Sequence, residues 1–170
     1  MAGAGAPRTR LVHATCLVVG GCGVLILGPP GSGKSDLALR LIDQSGRGTG
    51  AEAMTARLVA DDQVVVTRRA SRLIAGPPRR LAGLMEVRGL GIVDIEYAPE
   101  AELGLIVRLA EAGRIERLPE ASQSQLVLLD IAIPEIAIDA AAASAPARVR
   151  AGVAETLRRS TAAPAPAGAE

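Results

Sequence analysis

Residues 28–35 run Gly28, Pro29, Pro30, Gly31, Ser32, Gly33, Lys34 and Ser35, which fills the spacing G-x-x-x-x-G-K-[ST] without a gap. Gly28, Gly31 and Gly33 allow a backbone that turns successive N–H groups inward, making a nest for an anion. A helix beginning near Lys34 adds its positive N-terminal end. Lys34 then supplies a point charge to the outer phosphates, and the Ser35 hydroxyl is a ligand for Mg²⁺. Lys34 is the chain's one lysine; the other 18 of its 19 basic residues are arginine. The single ammonium therefore stands at the position where a lysine has a specific task. This loop predicts a phosphate donor, a nucleotide or similar compound, bound with Mg²⁺.

Three further groups of residues carry chemistry. Asp61 and Asp62 follow the apolar run Leu58-Val59-Ala60, and a carboxylate at a strand's C-terminal end is well placed to face a bound phosphate. One would hold Mg²⁺ directly or through water, the other would accept a proton from an attacking hydroxyl. Adjacent strand residues point to opposite sides, so the two carboxylates are expected to have different tasks; the bland alternative is an Asx turn. In Met85–Asp94 (MEVRGLGIVD), Glu86 and Arg88 share a face if the chain is extended, and Gly89 and Gly91 would let backbone approach a ligand. His13, the only histidine, lies in the strand before the loop; a lone strand histidine is more often structural. Cys16 and Cys22 fit neither a zinc spacing nor a Cys-x-x-Cys pair and read as small buried hydrophobes.

These groups need elements to hold them. Leu11–Val19 and Val24–Leu27 read as strands around a Gly20-Gly21-Cys22-Gly23 turn. In residues 34–44, Leu37, Ala38, Leu41 and Ile42 fall on one helical face. The glycine-rich stretch 45–50 (SGRGTG) ends that helix and reads, with the residues after it, as a surface loop. Leu58–Ala60, Val64–Thr67, Gly104–Leu109 and Leu126–Ile133 read as strands, the last ended by Pro134, and Arg148–Arg159 as a terminal helix. The result is a single α/β (α+β) domain over residues 11–160. Residues 1–10 and the low-complexity 161–170 (TAAPAPAGAE) are expected to stay disordered.

With 170 residues the chain suffices for one domain with a sizeable core. It contains no Phe or Trp and one Tyr, so its core must be aliphatic and a purine ring would be held with little aromatic stacking. A net charge of +1 gives no broad footprint for nucleic acid or an anionic membrane, and the Arg68-Arg69 and Arg79-Arg80 pairs read as solvated surface. The apolar run 16–27 is short and glycine-broken, and it leads into a phosphate loop rather than a cleavage site, so no secretory signal is expected. A cytoplasmic protein is expected.

Together these pieces resemble the catalytic domain of bacterial HPr kinase/phosphorylase over about residues 11–139. The resemblance rests on His13 fifteen residues before the loop, GPPGSGKSD (28–36), LVADD (58–62), MEVRGLGIVD (85–94) and ERLP (116–119). The loop alone is common to many NTPases; its combination with the other segments is far more specific. Without an N-terminal domain the chain is similar to the short, alphaproteobacterial-like form. The resemblance implies a P-loop kinase domain of the HPr kinase/phosphoenolpyruvate carboxykinase type. It would use ATP and Mg²⁺ to phosphorylate a serine of HPr, the phosphocarrier of the sugar phosphotransferase system, with phosphorolysis as the reverse reaction. It implies that Lys34 is catalytic, that Ser35 and Glu86 hold Mg²⁺, and that Asp62 is the base with Asp61 assisting. His13 would lie beside the transferred phosphate, Arg117 would complete the site, and the chain would form a homo-oligomer. Fuller family members carry a P-V-x-x-G-R-N-like loop where this chain has DAAAASAPARVR (139–150). Two other readings fit the loop: a small-molecule P-loop kinase, and a non-catalytic nucleotide-binding sensor.

Overall fold

A computed structural model describes residues 8–120 and 124–162. The chain opens with β1 (Thr9–His13), β2 (Thr15–Val19) and β3 (Cys22–Leu27), and the phosphate loop then leads into α1 (Lys34–Asp43). The expected first strand is thus two, parted at Ala14. β1 pairs antiparallel with β5 (Gln63–Arg69), whereas β2 lies between β3 and β4 (Ala56–Ala60). Val19 faces Cys22 across the β2–β3 turn, so only Gly20 and Gly21, both at positive φ, make that turn, as a two-residue hairpin of right-handed twist requires.

β6 (Arg72–Gly76) follows β5, and β7 (Leu84–Val87) and β8 (Gly91–Asp94) form a separate hairpin. β9 (Ala101–Leu109) is the keel of the main sheet. Along one edge it pairs parallel with β3. On the other it pairs first with β6, antiparallel, and then with β11 (Ile131–Ile138), parallel. β10 (Gln125–Leu128) closes antiparallel on β11 through a Leu129-Asp130 turn. The expected run 126–133 is therefore a hairpin, and Pro134 lies inside β11 instead of ending it. Its position explains the tolerance: Pro134 faces Gln125 of β10, and pairing with β9 begins at Glu135. The missing N–H falls where the strand changes partners. α2 (Ala145–Ala162) starts three residues earlier than expected and carries Pro146 in its first turn, where no intrahelical N–H is required.

Alternation along the central strands divides the core. Leu17, Val24, Ile26, Leu105 and Val107 pack with Leu37 and Leu41 of α1 and Val149 and Val153 of α2. Cys16, Leu25 and Ile106 turn the other way, among Val64 and Val66 of β5, Leu73 of β6 and Leu128 of β10. A sheet buried on both faces uses aliphatic side chains at nearly every position, and this suits a chain almost without aromatics. Both cysteines are free and buried. Burial pushes the Cys16 thiol far above its ordinary range and the Cys22 thiol up to about 11.

The glycine-rich segment after α1 is a surface loop pinned by backbone hydrogen bonds between Gly46 and Met54. Arg68 and Arg69 are engaged by Asp130 and Glu100. Of the expected disordered ends, 1–7 and 163–170 lie outside the described residues; β1 begins at Thr9 and α2 runs to Ala162.

Candidate active site

The loop between β3 and α1 has the backbone its glycines permit. Gly31 and Gly33 have φ of 76° and 95°, the left-handed region that costs other residues about 1–2 kcal/mol. A Cβ on Gly28 would come within 2.4 Å of Ser32 Oγ, so this position is also closed by contact. Lys34 is buried, and its Nζ donates to the carbonyls of Gly28 and Pro29 at 2.9 and 3.1 Å. Burial lowers its pKa, with Asp61 and then Asp62 acting in the opposite sense.

β4 ends at Ala60, and the tight turn to β5 separates the two aspartates. Asp61 is buried and faces inward. Its Oδ1 accepts from Thr15 Oγ1 at 2.7 Å and from Ser35 Oγ at 2.8 Å. Its Oδ2 lies 3.1 Å from Ser35 Oγ and accepts the Glu86 backbone N–H at 3.3 Å. Asp62 has φ of 66°, a conformation aspartate tolerates better than most side chains. It points outward, its Oδ1 3.3 Å from Nδ1 of His13, and both side chains are about half exposed. The Ala14 N–H donates to the Asp62 carbonyl at 3.2 Å, so the break between β1 and β2 is the seam that brings His13 to Asp62.

A cleft of about 470 Å³ opens over these groups, lined among others by His13, Lys34, Ser35, Asp62, Glu86 and Arg88. Glu86 stands on β7 and Arg88 in the turn that follows. Gly89 and Gly91 both have positive φ, and nothing lies within 4 Å of a Cβ built on either. They shape the hairpin turn and do not bring backbone against a neighbour. On the far side of Pro30 and Gly31 a second cleft of about 530 Å³ is bounded by Pro29, Leu109, Ala110, Glu111, Asp139 and Ala141. It lies beyond the carboxyl ends of the parallel strands β3, β9 and β11, where an open α/β sheet receives its ligands.

No three His, Cys, Asp or Glu side chains among the described residues form a complete metal cage. Mg²⁺ seldom uses one: it takes one or two protein oxygens and fills the rest of its octahedron with water and substrate phosphate. The Ser35 hydroxyl and the carboxylates of Glu86 and Asp62, all hard oxygen donors, line one cleft and fit that chemistry.

A family model for the HPr serine kinase C-terminal domain matches residues 6–165. The chain belongs to that family. Similar proteins include an HPr kinase/phosphorylase of Bordetella avium, 44% identical over 122 residues, which cover 65% of this chain and 36% of that protein. One from Lacticaseibacillus casei is 33% identical over 140 residues, 76% of this chain and 40% of the relative. The chain thus spans little more than a third of the length of the curated relatives it matches. Among solved structures, the Hpr(Ser) kinase/phosphatase from Coxiella burnetii superposes with a TM-score of 0.72 at 25% identity, over 91% of this chain and 99% of that one.

Within this HPr serine kinase C-terminal domain, the sequence-derived residues divide clearly. His13, Lys34, Ser35, Asp62 and Glu86 share the first cleft, and Asp61 braces Ser35 from below. Arg117 does not join them; it is exposed on the loop after β9 and lines neither cleft. Arg88 is the arginine at the cleft. Thr15, fully buried in the floor of that cleft, has no signal in the sequence: on a strand apolar on both faces, one hydroxyl amino acid carries no periodic pattern.

Proposed function

We propose that the chain is the catalytic unit of an ATP- and Mg²⁺-dependent protein kinase that phosphorylates a serine of HPr. The observation that carries this reading is the divergence of the two aspartates: one is committed to the Ser35 hydroxyl, the other is open to the cleft beside His13. A nucleotide sensor needs the first and has no use for the second.

The loop N–H groups and Lys34 hold the outer phosphates of ATP, and Lys34 exchanges its two carbonyl partners for phosphate oxygens. The nucleoside extends into the second cleft, where Leu109 and Ala141 give apolar contact and the carboxylates of Glu111 and Asp139 accept from hydroxyl or amino groups. Ser35 and Glu86 hold Mg²⁺, which offsets charge on the transferring phosphoryl group. Asp62 takes the proton of the attacking serine hydroxyl as its oxygen bonds to the γ-phosphorus and the bond to the bridging oxygen breaks, releasing ADP. His13 and Arg88 stabilise charge on the transferring group, and Arg117 reaches the acceptor from outside the cleft. In phosphorolysis an oxygen of inorganic phosphate bonds to the phosphoserine phosphorus as its bond to the serine oxygen breaks, and Asp62, protonated at the start of this step, gives its proton to that oxygen, leaving serine and pyrophosphate. A cytoplasmic location, a homo-oligomeric state and a catalytic body within residues 11–160 belong to the same proposal.

Incubation of the protein with Mg-ATP and HPr, followed by mass spectrometry, tests it. The expected result is one added phosphate on a serine, absent with Lys34→Ala and with Asp62→Asn. Unmodified HPr with phosphorylation of a metabolite would make the chain a small-molecule kinase; nucleotide binding with no acceptor modified would make it a sensor. Phosphorylated HPr treated with inorganic phosphate tests the reverse reaction separately.

A further inference from the structure

The Thr15 side chain is a buried polar group in the floor of the first cleft with one specific partner. It shows no solvent exposure, and its hydroxyl donates to Asp61 Oδ1 at 2.7 Å. Asp61 is 5% exposed, and a carboxylate so buried must be met by donors. They come from three elements: Thr15 on β2, Ser35 at the start of α1 and the Glu86 N–H on β7. Two of those three residues, Ser35 and Glu86, are the ones proposed above to hold Mg²⁺, so the Asp61 carboxylate ties together the backbone positions from which both ligands project.

We infer that Thr15 is a positioning residue for the cation site: its hydroxyl fixes the Asp61 carboxylate so that Ser35 donates inward and presents its oxygen lone pairs to the cleft. This rests on the proposed Mg²⁺–nucleotide reading of the site. A serine hydroxyl can ligate a cation only if its proton is directed elsewhere, and here the acceptor is Asp61. Thr15 and Ser35 converge on the same oxygen, Oδ1, while the Glu86 N–H takes Oδ2. With the Thr15 bond removed, only Ser35 and one long backbone bond orient the carboxylate. It can then rotate about its Cβ–Cγ bond, and the Ser35 proton follows it. Groups that orient metal ligands in this way typically contribute about 10–100-fold to metal affinity.

The test uses Thr15→Val, which keeps shape and removes the donor, Thr15→Ser, which keeps the donor, and Thr15→Cys, a weak donor that packs well in a buried site. Mn²⁺ affinity in the presence of ATP is read by electron paramagnetic resonance, and ATP affinity in EDTA by calorimetry. Thr15→Val should weaken Mn²⁺ at least about 10-fold, Thr15→Cys should fall between, and Thr15→Ser should restore wild-type affinity, with metal-free ATP binding the same in all. Wild-type Mn²⁺ affinity in Thr15→Val overturns the inference and leaves Thr15 a purely structural hydroxyl. So does a loss in Thr15→Ser equal to that in Thr15→Val. If Thr15→Val does not fold, wild-type affinity in a folded Thr15→Cys overturns it equally. A wild-type protein that binds no Mn²⁺ with ATP overturns the functional reading itself, an outcome distinct from the other three.

Discussion

Lys34 is held by two main-chain carbonyls in a buried position, and burial lowers its pKa from the ordinary 10.5. Its positive charge is therefore present below that lowered value and is lost as pH rises through it. Phosphate affinity should follow the charge, so tripolyphosphate binding is expected to weaken on an alkaline limb that begins below pH 10.5. In Lys34→Arg the limb should vanish, since a guanidinium stays charged, though the fork shape will lower the affinity overall. Calorimetric titration across pH 7–10.5 reads both effects; an unchanged limb in Lys34→Arg would assign it to another group. The contrast between the two arginines gives a second test. Arg88 lines the cleft and Arg117 does not, so Arg88→Gln is expected to slow phosphoryl transfer by about 100-fold, the scale of one lost charge-stabilising donor. Arg117→Gln should instead raise the KM for the protein acceptor, and steady-state kinetics distinguish the two. At this scale much of the site was legible. The loop spacing points to Lys34 and Ser35; the divergence of Asp61 and Asp62, expected from strand alternation, comes instead from the turn after Ala60, where Asp62 takes a positive φ. Arg117 rested on three letters of resemblance, and Thr15 had no signal of its own, because its meaning comes from β4 and α1 folding against it.

At the scale of elements, α1 must present Lys34 and Ser35 at one end while its other end is anchored. Arg150 of α2 supplies the anchor. It is 3% exposed, and its guanidinium donates to the carbonyls of Leu41 and Gln44, the last turn of α1, and to Met54 at the base of the glycine-rich loop. Burial lowers its pKa, yet no carboxylate is needed, because three carbonyl oxygens satisfy it, two of them at the negative end of a helix. Arg150→Met leaves those carbonyls without a donor at about 1–3 kcal/mol for each that water cannot reach. A loss of about 3 kcal/mol would lower Tm by roughly 6–12 °C in a chain of this length. ATP affinity of the folded variant should be unchanged, because the loop lies at the opposite end of α1; a matched loss of affinity would make Arg150 part of the binding machinery. β3, α1 and β4 are legible in the sequence because a turn or loop signal bounds each. β1 runs into β2, and β10 into β11, because apolar residues continue across both breaks. At Ala14 there is no turn residue, and at Leu129-Asp130 positive φ is adopted without glycine. Pro134 misled for a related reason: its cost depends on which neighbour the strand is paired with at that residue, and pairing is a long-range fact.

Across the whole molecule, the parallel strands β3, β9 and β11 end together, and the loops that follow them bound the second cleft. Strand order is absent from a linear reading; the phosphate loop and the aspartates after Ala60 point to where the phosphates would sit, and nothing in the sequence points to the second cleft. If the outer phosphates of ATP occupy the loop, its nucleoside has two directions to take across Pro30 and Gly31. The first cleft carries the groups proposed for the acceptor. The second has apolar walls, two carboxylates, the Arg114 guanidinium and, among the described residues, no aromatic side chain. The chain contains no tryptophan, so a single indole introduced at Ala141, an exposed position on the wall of the second cleft, becomes the only one in the protein. ATP is expected to shift or quench its emission as base and ribose displace water from it, and tripolyphosphate, which engages the loop alone, should leave it unchanged. Calorimetry on the same variant establishes that both ligands bind. ATP that binds without altering the emission would send the nucleoside the other way, across the first cleft, and the acceptor serine would then have to approach the γ-phosphate from the side of β9 and β11.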